Sequence, residues 1–318
     1  MIAIPRSARL AASLAGALVI FGGFAAFGQI GGLGIGGDNA PLEVTARGGI
    51  EWDRANLRYI ARGEARVVYN KNVVEGDELI AYYRQKRDCG TDIFRLDASG
   101  RVRITAPGQK VVGDRAIYDS DSGVLVITGR AIKLNTATEE VTARDSLEYW
   151  EAKKLAVARG EATVIAGDRR IRADVISGYF AADSNPARST PRPAAPPAAR
   201  GRARTAAPLP TLTSGGNESR LSRLEAFGNV LVSTKTEIVR GDRGVYNAET
   251  GVATLAGNVR LTQGGTQQAT GDYAEFDLKS GQSRLLARPG QGDNRVRLLL
   301  VPGQAGGGTT PPAPANRR

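Results

Sequence analysis

The chain of 318 residues contains no histidine and a single cysteine, Cys89. The missing histidine removes Ser-His-Asp and Cys-His catalysis, His-ligated zinc and the usual proton shuttle. The lone cysteine excludes an intramolecular disulfide framework and any multi-cysteine metal site. Cys89 lies in the charged stretch from Arg84 to Asp92 with no base beside it, and reads as an incidental thiol. Aromatic residues make up only 6% of the chain against 40 glycines, the balance of many short strands joined by tight turns. No glycine-rich loop opens a helix, so no phosphate cradle of the nucleotide-binding type is present. No convincing helix is legible beyond the N-terminal segment. Residues 147–158 have some helical propensity, but they overlay a repeat unit whose register takes precedence.

Three segments lack acidic residues, and they hold most of the net charge of +11. Residues 1–37 carry Arg6 and Arg9. Residues 184–217 carry Arg188, Arg192, Arg200, Arg202 and Arg204. The tail from Pro302 carries Arg317 and Arg318. What remains is nearly neutral, so nucleic acid is not expected as a partner. Basic segments of this kind suit an anionic surface such as lipid headgroups. Residues 184–217 also hold seven of the 15 prolines, a low-complexity composition.

At the N-terminus, Arg6 and Arg9 precede an uncharged run from Leu10 to Gly37. Its apolar part reads as a signal peptide, with Ala26-Phe27-Gly28 as a small-x-small cleavage site, or as a retained membrane anchor. Either way the rest of the chain leaves the cytoplasm.

The chain is otherwise built on one unit. Its full form is Asp114-x3-Tyr118-x4-Gly123-x5-Gly129, and the same spacing returns at Asp242, Tyr246, Gly251 and Gly257. Partial copies start at Asp145, with Tyr149 and Gly160, and at Asp272, with Phe276 and Gly281. Looser copies lie at Trp52 to Gly63, Asp77 to Gly100, and Asp174 with Tyr179. The second glycines fall at 63, 100, 129, 160, 228 and 257, a period of about 30 residues. Such a period means stacked supersecondary units whose neighbours close a common core. Each unit reads as strand, turn, strand, turn, with the glycine of each turn at a position that needs positive φ.

After the second glycine, side chains alternate. Val102, Ile104, Val230, Val232, Val259 and Leu261 fall on one face, opposite Arg101, Arg103, Asn258 and Arg260. Period-two alternation means one buried and one wet face. After Asp174 the next second glycine is Gly228, about 38 residues late, and the phase is kept if those residues are inserted into one hairpin turn. The expected organisation is a signal or anchor with a glycine-rich spacer over 1–37, one repeat domain over 38–301 interrupted by a disordered insertion at 184–219, and a disordered basic tail over 302–318.

The repeated aspartate is the obvious catalytic suspect. A residue present in every unit is more simply structural, its short side chain accepting backbone N–H bonds at a bend. Asp119-x-Asp121-x-Gly123 resembles the start of a calcium loop, but residues 124–130 supply no further oxygen ligands, so it reads as a turn. The recurring Tyr118, Tyr149, Tyr246 and Phe276 read as a packing ladder. No catalytic residue, metal site or cofactor is expected.

An open strand repeat has two end edges with unpaired backbone groups, which can pair with another chain head to tail. Two splayed sheets would enclose an apolar groove able to hold acyl chains at about 0.8 kcal/mol per CH₂.

The units Gly113-Asp114-Arg115-Ala116-Ile117-Tyr118 and Gly241-Asp242-Arg243-Gly244-Val245-Tyr246, with Gly257-Asn258-Val259 downstream of the second, resemble the OstA-like or LptA family of periplasmic lipopolysaccharide-transport bridge proteins. The resemblance spans about residues 40–290. It implies an all-β, repeat-built β-jellyroll, open and twisted, with an apolar interior for the acyl chains of lipopolysaccharide. It implies end-to-end self-association between an inner-membrane export complex and an outer-membrane translocon in the periplasm, and no enzyme activity. On that reading Val102, Ile104, Val230, Val232, Val259 and Leu261 are the lipid contacts. The long N-terminal apolar run leaves open an inner-membrane-tethered LptC-type partner of the same pathway. A structural or adhesive β-solenoid without lipid cargo is the competing class.

Overall fold

The structure is a computed structural model that describes residues 42–85, 91–181, 220–264, 267–277, 279–280, 282–287 and 296–299. The N-terminal segment, Cys89, Gly281, the insertion 184–219 and the tail 302–318 lie outside the described residues.

All regular structure is β. In chain order the strands are β1 (Leu42–Thr45), β2 (Ile50–Asp53), β3 (Arg58–Tyr69), β4 (Asn72–Gln85), β5 (Thr91–Ala106), β6 (Gln109–Asp119), β7 (Val124–Thr128), β8 (Ile132–Thr136) and β9 (Glu139–Ala143). The second half adds β10 (Ser146–Trp150), β11 (Leu155–Ala166), β12 (Arg169–Ala181), β13 (Arg220–Ser233), β14 (Glu237–Asn247), β15 (Val252–Gln263), β16 (Gln267–Asp277), β17 (Gln282–Leu286) and β18 (Arg297–Leu299). Every pairing is antiparallel, and all eighteen strands belong to one sheet. The 147–158 stretch is β10, a turn and the start of β11, so the repeat register does override its helical propensity.

The sheet is creased along its length. Ten strands run the full width, and most of their pairings change register midway, for example between Arg159 and Ala162 in β11 and between Ala256 and Val259 in β15. Four more crossings are split into two strands at the crease: β1 with β2, β7 with β8, β9 with β10, and β17 with β18. Fourteen bent strands therefore form two layers. The first layer runs from β2 to β17 and the second from β1 to β18. Both layers contribute to a single core, which makes the architecture a β-jellyroll.

The glycines explain the crease. Each unit reads in sequence as two short strands separated by the second glycine, with the aspartate at a strand start. The structure corrects this: except at Asp145 and at Gly129, which separates β7 from β8, strands run through both residues, and the second glycine opens a bulge in mid-strand. At Gly100–Arg101, Gly160–Glu161, Gly228–Asn229 and Gly257–Asn258, two successive residues have positive φ. Only the first of each pair is glycine, and the repeated aspartate of the same unit shows why. A Cβ at Gly100, Gly160, Gly228 or Gly257 would collide with the carboxylate of Asp77, Asp145, Asp174 or Asp242 respectively. Asp114 accepts a hydrogen bond from the Arg130 backbone N–H at 3.0 Å. The aspartate is thus a crease-packing residue.

At the rim of the first layer, turn carboxylates and amides cap their own backbones. Asp119 Oδ1 accepts from Ser122 N–H at 2.8 Å, and Asn247 Oδ1 from Glu249 and Thr250 N–H at 2.9 and 3.2 Å. These hydrogen bonds from Ser122 hold the Asp119 carboxyl below its ordinary range. Asp121 is engaged by both terminal nitrogens of Arg84 at 2.8 and 2.9 Å, so the calcium-like motif is a turn braced by an ion pair.

The aromatics form the expected inner ladder. Tyr118, Tyr149, Tyr246 and Phe276 are buried on the first layer. The unit at Asp174 departs from the expectation. Its ladder position is Gly178, paired with Leu224, while Tyr179 turns aside; a register shift between Tyr179 and Phe180 brings buried Phe180 against the gap. β12 pairs with β13 from Arg170–Ser233 to Ala181–Arg220, and Gly228 takes the place over Asp174 that Gly257 takes over Asp242.

Candidate functional site

The interior is a site built by register. On the inner face of the second layer, one residue from each crossing lines up across the whole sheet. From the first end the row is Val44, Val67, Val74, Ile104, Val111, Leu134 and Val141. It continues through Val164, Ile171, Val232, Val239, Leu261, Ala269 and Leu298. Every member is aliphatic. β-branched side chains suit both the pleat and the burial, and cross-strand neighbours of this type reinforce one another.

The six candidate contacts sit in this face. Ile104, Val232 and Leu261 belong to the row itself. Val102, Val230 and Val259 lie one step nearer the crease, opposite Gly113, Gly241 and Gly271. Five of the six are buried and Leu261 is half-buried. The glycines opposite them are covered by first-layer side chains, since a Cβ on Gly113, Gly241 or Gly271 would press on Ile127, Leu255 or Leu285.

Through the middle of the molecule this interior is filled by its own side chains, with Leu134, Val164 and Ile171 fully buried. At the ends it opens. A cavity of about 190 Å³ lies among Val259, Leu261, Ala269, Ala274, Phe276, Leu285 and Leu298, reaching both layers at the β17–β18 end. At the opposite end Trp52 stacks on Tyr59 with centroids 5.6 Å apart, donates its indole N–H to the Tyr83 hydroxyl at 2.7 Å, and carries Arg54 over its face at 4.1 Å. Exposed large apolar residues concentrate at these two ends: Ile50, Trp52 and Leu57 at the first, Leu286, Val296, Leu298 and Leu299 at the second. Ile50, Trp52 and Leu298 pair with inward-facing Ala61, Tyr59 and Ala269, so they continue the interior surface into solvent.

The second-layer rim carries polar groups that sequence reasoning missed. Gln109, Glu139 and Glu237 begin β6, β9 and β14 on the inner face and are buried. Glu237 Oε1 has no hydrogen-bond partner, and burial pushes its carboxyl above the ordinary value of 4.5. The signal was present as a polar residue one period before Val239, but only the paired register shows that it faces inward. Among the described residues no cluster of His, Cys, Asp and Glu could hold a metal ion. No helix there is long and apolar enough to cross a membrane.

Residues 140–282 match the family model described as the LptA/LptD N-terminal domain, LPS transport protein. The matched segment is similar to that family. It runs from β9 through β16 to the first residue of β17, and the resemblance to that family read from the repeats holds. The crossings before residue 140 use the same crease, rim turns and inner row as those within the matched segment. A similar solved structure is the crystal structure of LptH, the LptA homologous periplasmic component of the conserved lipopolysaccharide transport device from Pseudomonas aeruginosa. It is 14% identical with a TM-score of 0.36, and the match covers 52% of this chain and 95% of that one. No curated protein matches the chain.

Proposed function

We propose that this protein is a non-enzymatic periplasmic carrier that binds the acyl chains of lipopolysaccharide in its apolar interior. It passes the lipid from an inner-membrane export complex toward an outer-membrane translocon through copies joined end to end. The observation that carries the reading is the uninterrupted aliphatic row, with exposed inward-facing side chains at both ends of the interior, Ile50 and Trp52 at one and Leu298 at the other. The end cavity of about 190 Å³ is smaller than the roughly 300–1,000 Å³ of a drug-sized ligand pocket, so loading requires the layers to part. A parted groove gains about 0.8 kcal/mol for each CH₂ it buries.

The edges support the assembly. β1, β2, β17 and β18 each pair on one side only among the described residues. The number of crossings is even and all are antiparallel, so β17 and β18 run opposite to β2 and β1. A second copy placed against the free end therefore continues the antiparallel alternation in both layers at once, and the interior row with it.

The test is purification of residues 38–318 from a lipopolysaccharide-producing host, followed by native mass spectrometry. Co-purified lipopolysaccharide and a ladder of oligomers is the expected outcome. A lipid-free protein that also fails to bind added lipopolysaccharide would remove the carrier reading and leave a structural solenoid.

A further inference from the structure

The outer face of the second layer carries its own row, one position away from the aliphatic one. In the first half its charges alternate: Arg66, Glu75 and Arg103 sit on three successive strands, with Glu75 at 3.5 and 3.6 Å from its two neighbours. In the last crossings the sign does not alternate. Arg240 and Arg260 are directly opposed on β14 and β15, and Arg297 follows beyond Thr270. Like charges directly opposite destabilise a strand pair. Among the described residues no carboxylate forms an ion pair with Arg240, Arg260 or Arg297.

These guanidinium groups line a cavity. It has a volume of about 670 Å³ and also holds Asn258, Gln268 and Thr270 as neutral hydrogen-bonding groups, together with the carboxylate of Asp272, which has an interaction of its own. A second cavity of about 620 Å³ adjoins it, sharing Arg240, Asn258 and Arg260 and reaching Arg172. The carboxylates of that second wall are engaged: Asn229 donates to Asp174 at 2.9 Å, Asn258 to Asp242 at 2.9 Å, and Arg172 to Glu161 at 2.6 Å.

The geometry points to a phosphate-binding site at Arg240, Arg260 and Arg297, sized for a diphosphate or a phosphorylated sugar. A planar guanidinium grips phosphate oxygens through paired N–H bonds, and an anion between Arg240 and Arg260 removes their repulsion. The volume is that of a small-molecule pocket, which favours a discrete phosphorylated group over diffuse attraction to a flat surface. The phosphate comes either from a lipid headgroup or from a free phosphoester. Its arginines lie on the opposite face from the acyl-chain interior, with Val259, Leu261 and Ala269 as the strand residues common to both.

Calorimetric titration of the full chain with inorganic pyrophosphate tests the site, with flotation on phosphatidylcholine vesicles, with and without phosphatidic acid, as the second arm. Saturable pyrophosphate binding is expected, weakened by about tenfold or more in Arg240→Gln and in Arg260→Gln. Arg66→Gln, in the alternating half, should stay within about twofold of wild type. Arg260→Lys keeps the charge without the fork and should fall between. Circular dichroism and melting curves confirm that each variant is folded. Displacement of phosphatidic acid vesicles by pyrophosphate identifies the headgroup as the source; pyrophosphate binding without vesicle binding identifies a soluble phosphoester. No pyrophosphate binding, vesicle binding alone, or an equal loss in Arg66→Gln overturns the proposal.

Discussion

The two halves of the molecule share an inside and differ outside. Val74, Ile104 and Val111 in the first half have direct counterparts in Val232, Val239 and Leu261 in the second. On the outer face of the same layer, the first half places Arg66, Glu75 and Arg103, and the second places Arg240, Arg260 and Arg297. The inner face is held by packing, since every crossing must complete the same row. The outer face is held only by exposed charges, each pair of which stabilises by about 0–1 kcal/mol. A repeat fold thus keeps its scaffold while its wet face diverges, and individual character in this chain is to be sought on that wet face.

The largest effect is expected inside. Leu134→Ala in the first half and Leu255→Ala in the second remove fully buried side chains and should each cost about 2–5 kcal/mol in urea denaturation. Similar losses in both halves sharpen the comparison; a loss confined to one half breaks it.

The crease comes next. Gly257→Ala meets both a positive φ and the Asp242 carboxylate, and should cost about 1–3 kcal/mol. Adding Asp242→Ala removes the collision but not the backbone strain, so about half or less of the loss should return. Full recovery would mean that the conformation itself costs nothing.

The rim contributes a gain. Glu237 is buried with an unpartnered oxygen and a raised pKa, so the folded protein holds its proton more tightly than the unfolded chain. Stability therefore falls as pH rises from 4.5 to the folded value and stays at that lower level above it. Glu237→Gln should stabilise the protein at pH 7, with the gain fading toward pH 4.5. An equal gain at both pH values would show that the carboxylate charge is not the cause.

The smallest effect is outside. Glu75→Gln should change stability by less than about 1 kcal/mol, yet leave Arg66 and Arg103 as the second half leaves its arginines. Pyrophosphate titration of that variant reads whether charge alone makes a site. Little or no gain is expected, because the enclosing cavity is at Arg240 and Arg260.

Much of this was legible before any coordinates. The period located the units, the alternation placed Val102 and Val230 inside, and the delayed Gly228 kept its phase with Asp174. The path of the strands through their glycines was not legible, because a glycine before a bulge and a glycine in a turn have the same local signature. That Tyr179, the aromatic of the Asp174 unit, lies off the ladder was not legible, because spacing alone does not reveal a register shift. The Arg240–Arg260–Arg297 row was invisible, since its members lie 20 and 37 positions apart and meet only through pairing.

Site-specific photo-crosslinking in a lipopolysaccharide-producing host tests the central claim most directly, using adjacent residues on opposite faces. A photoreactive side chain at Val230 or Val259 should yield lipopolysaccharide adducts, and one at Leu231 or Arg260 should yield no acyl-chain adduct. Adducts absent from the inward positions, or equal on both faces, would contradict an interior that carries lipid.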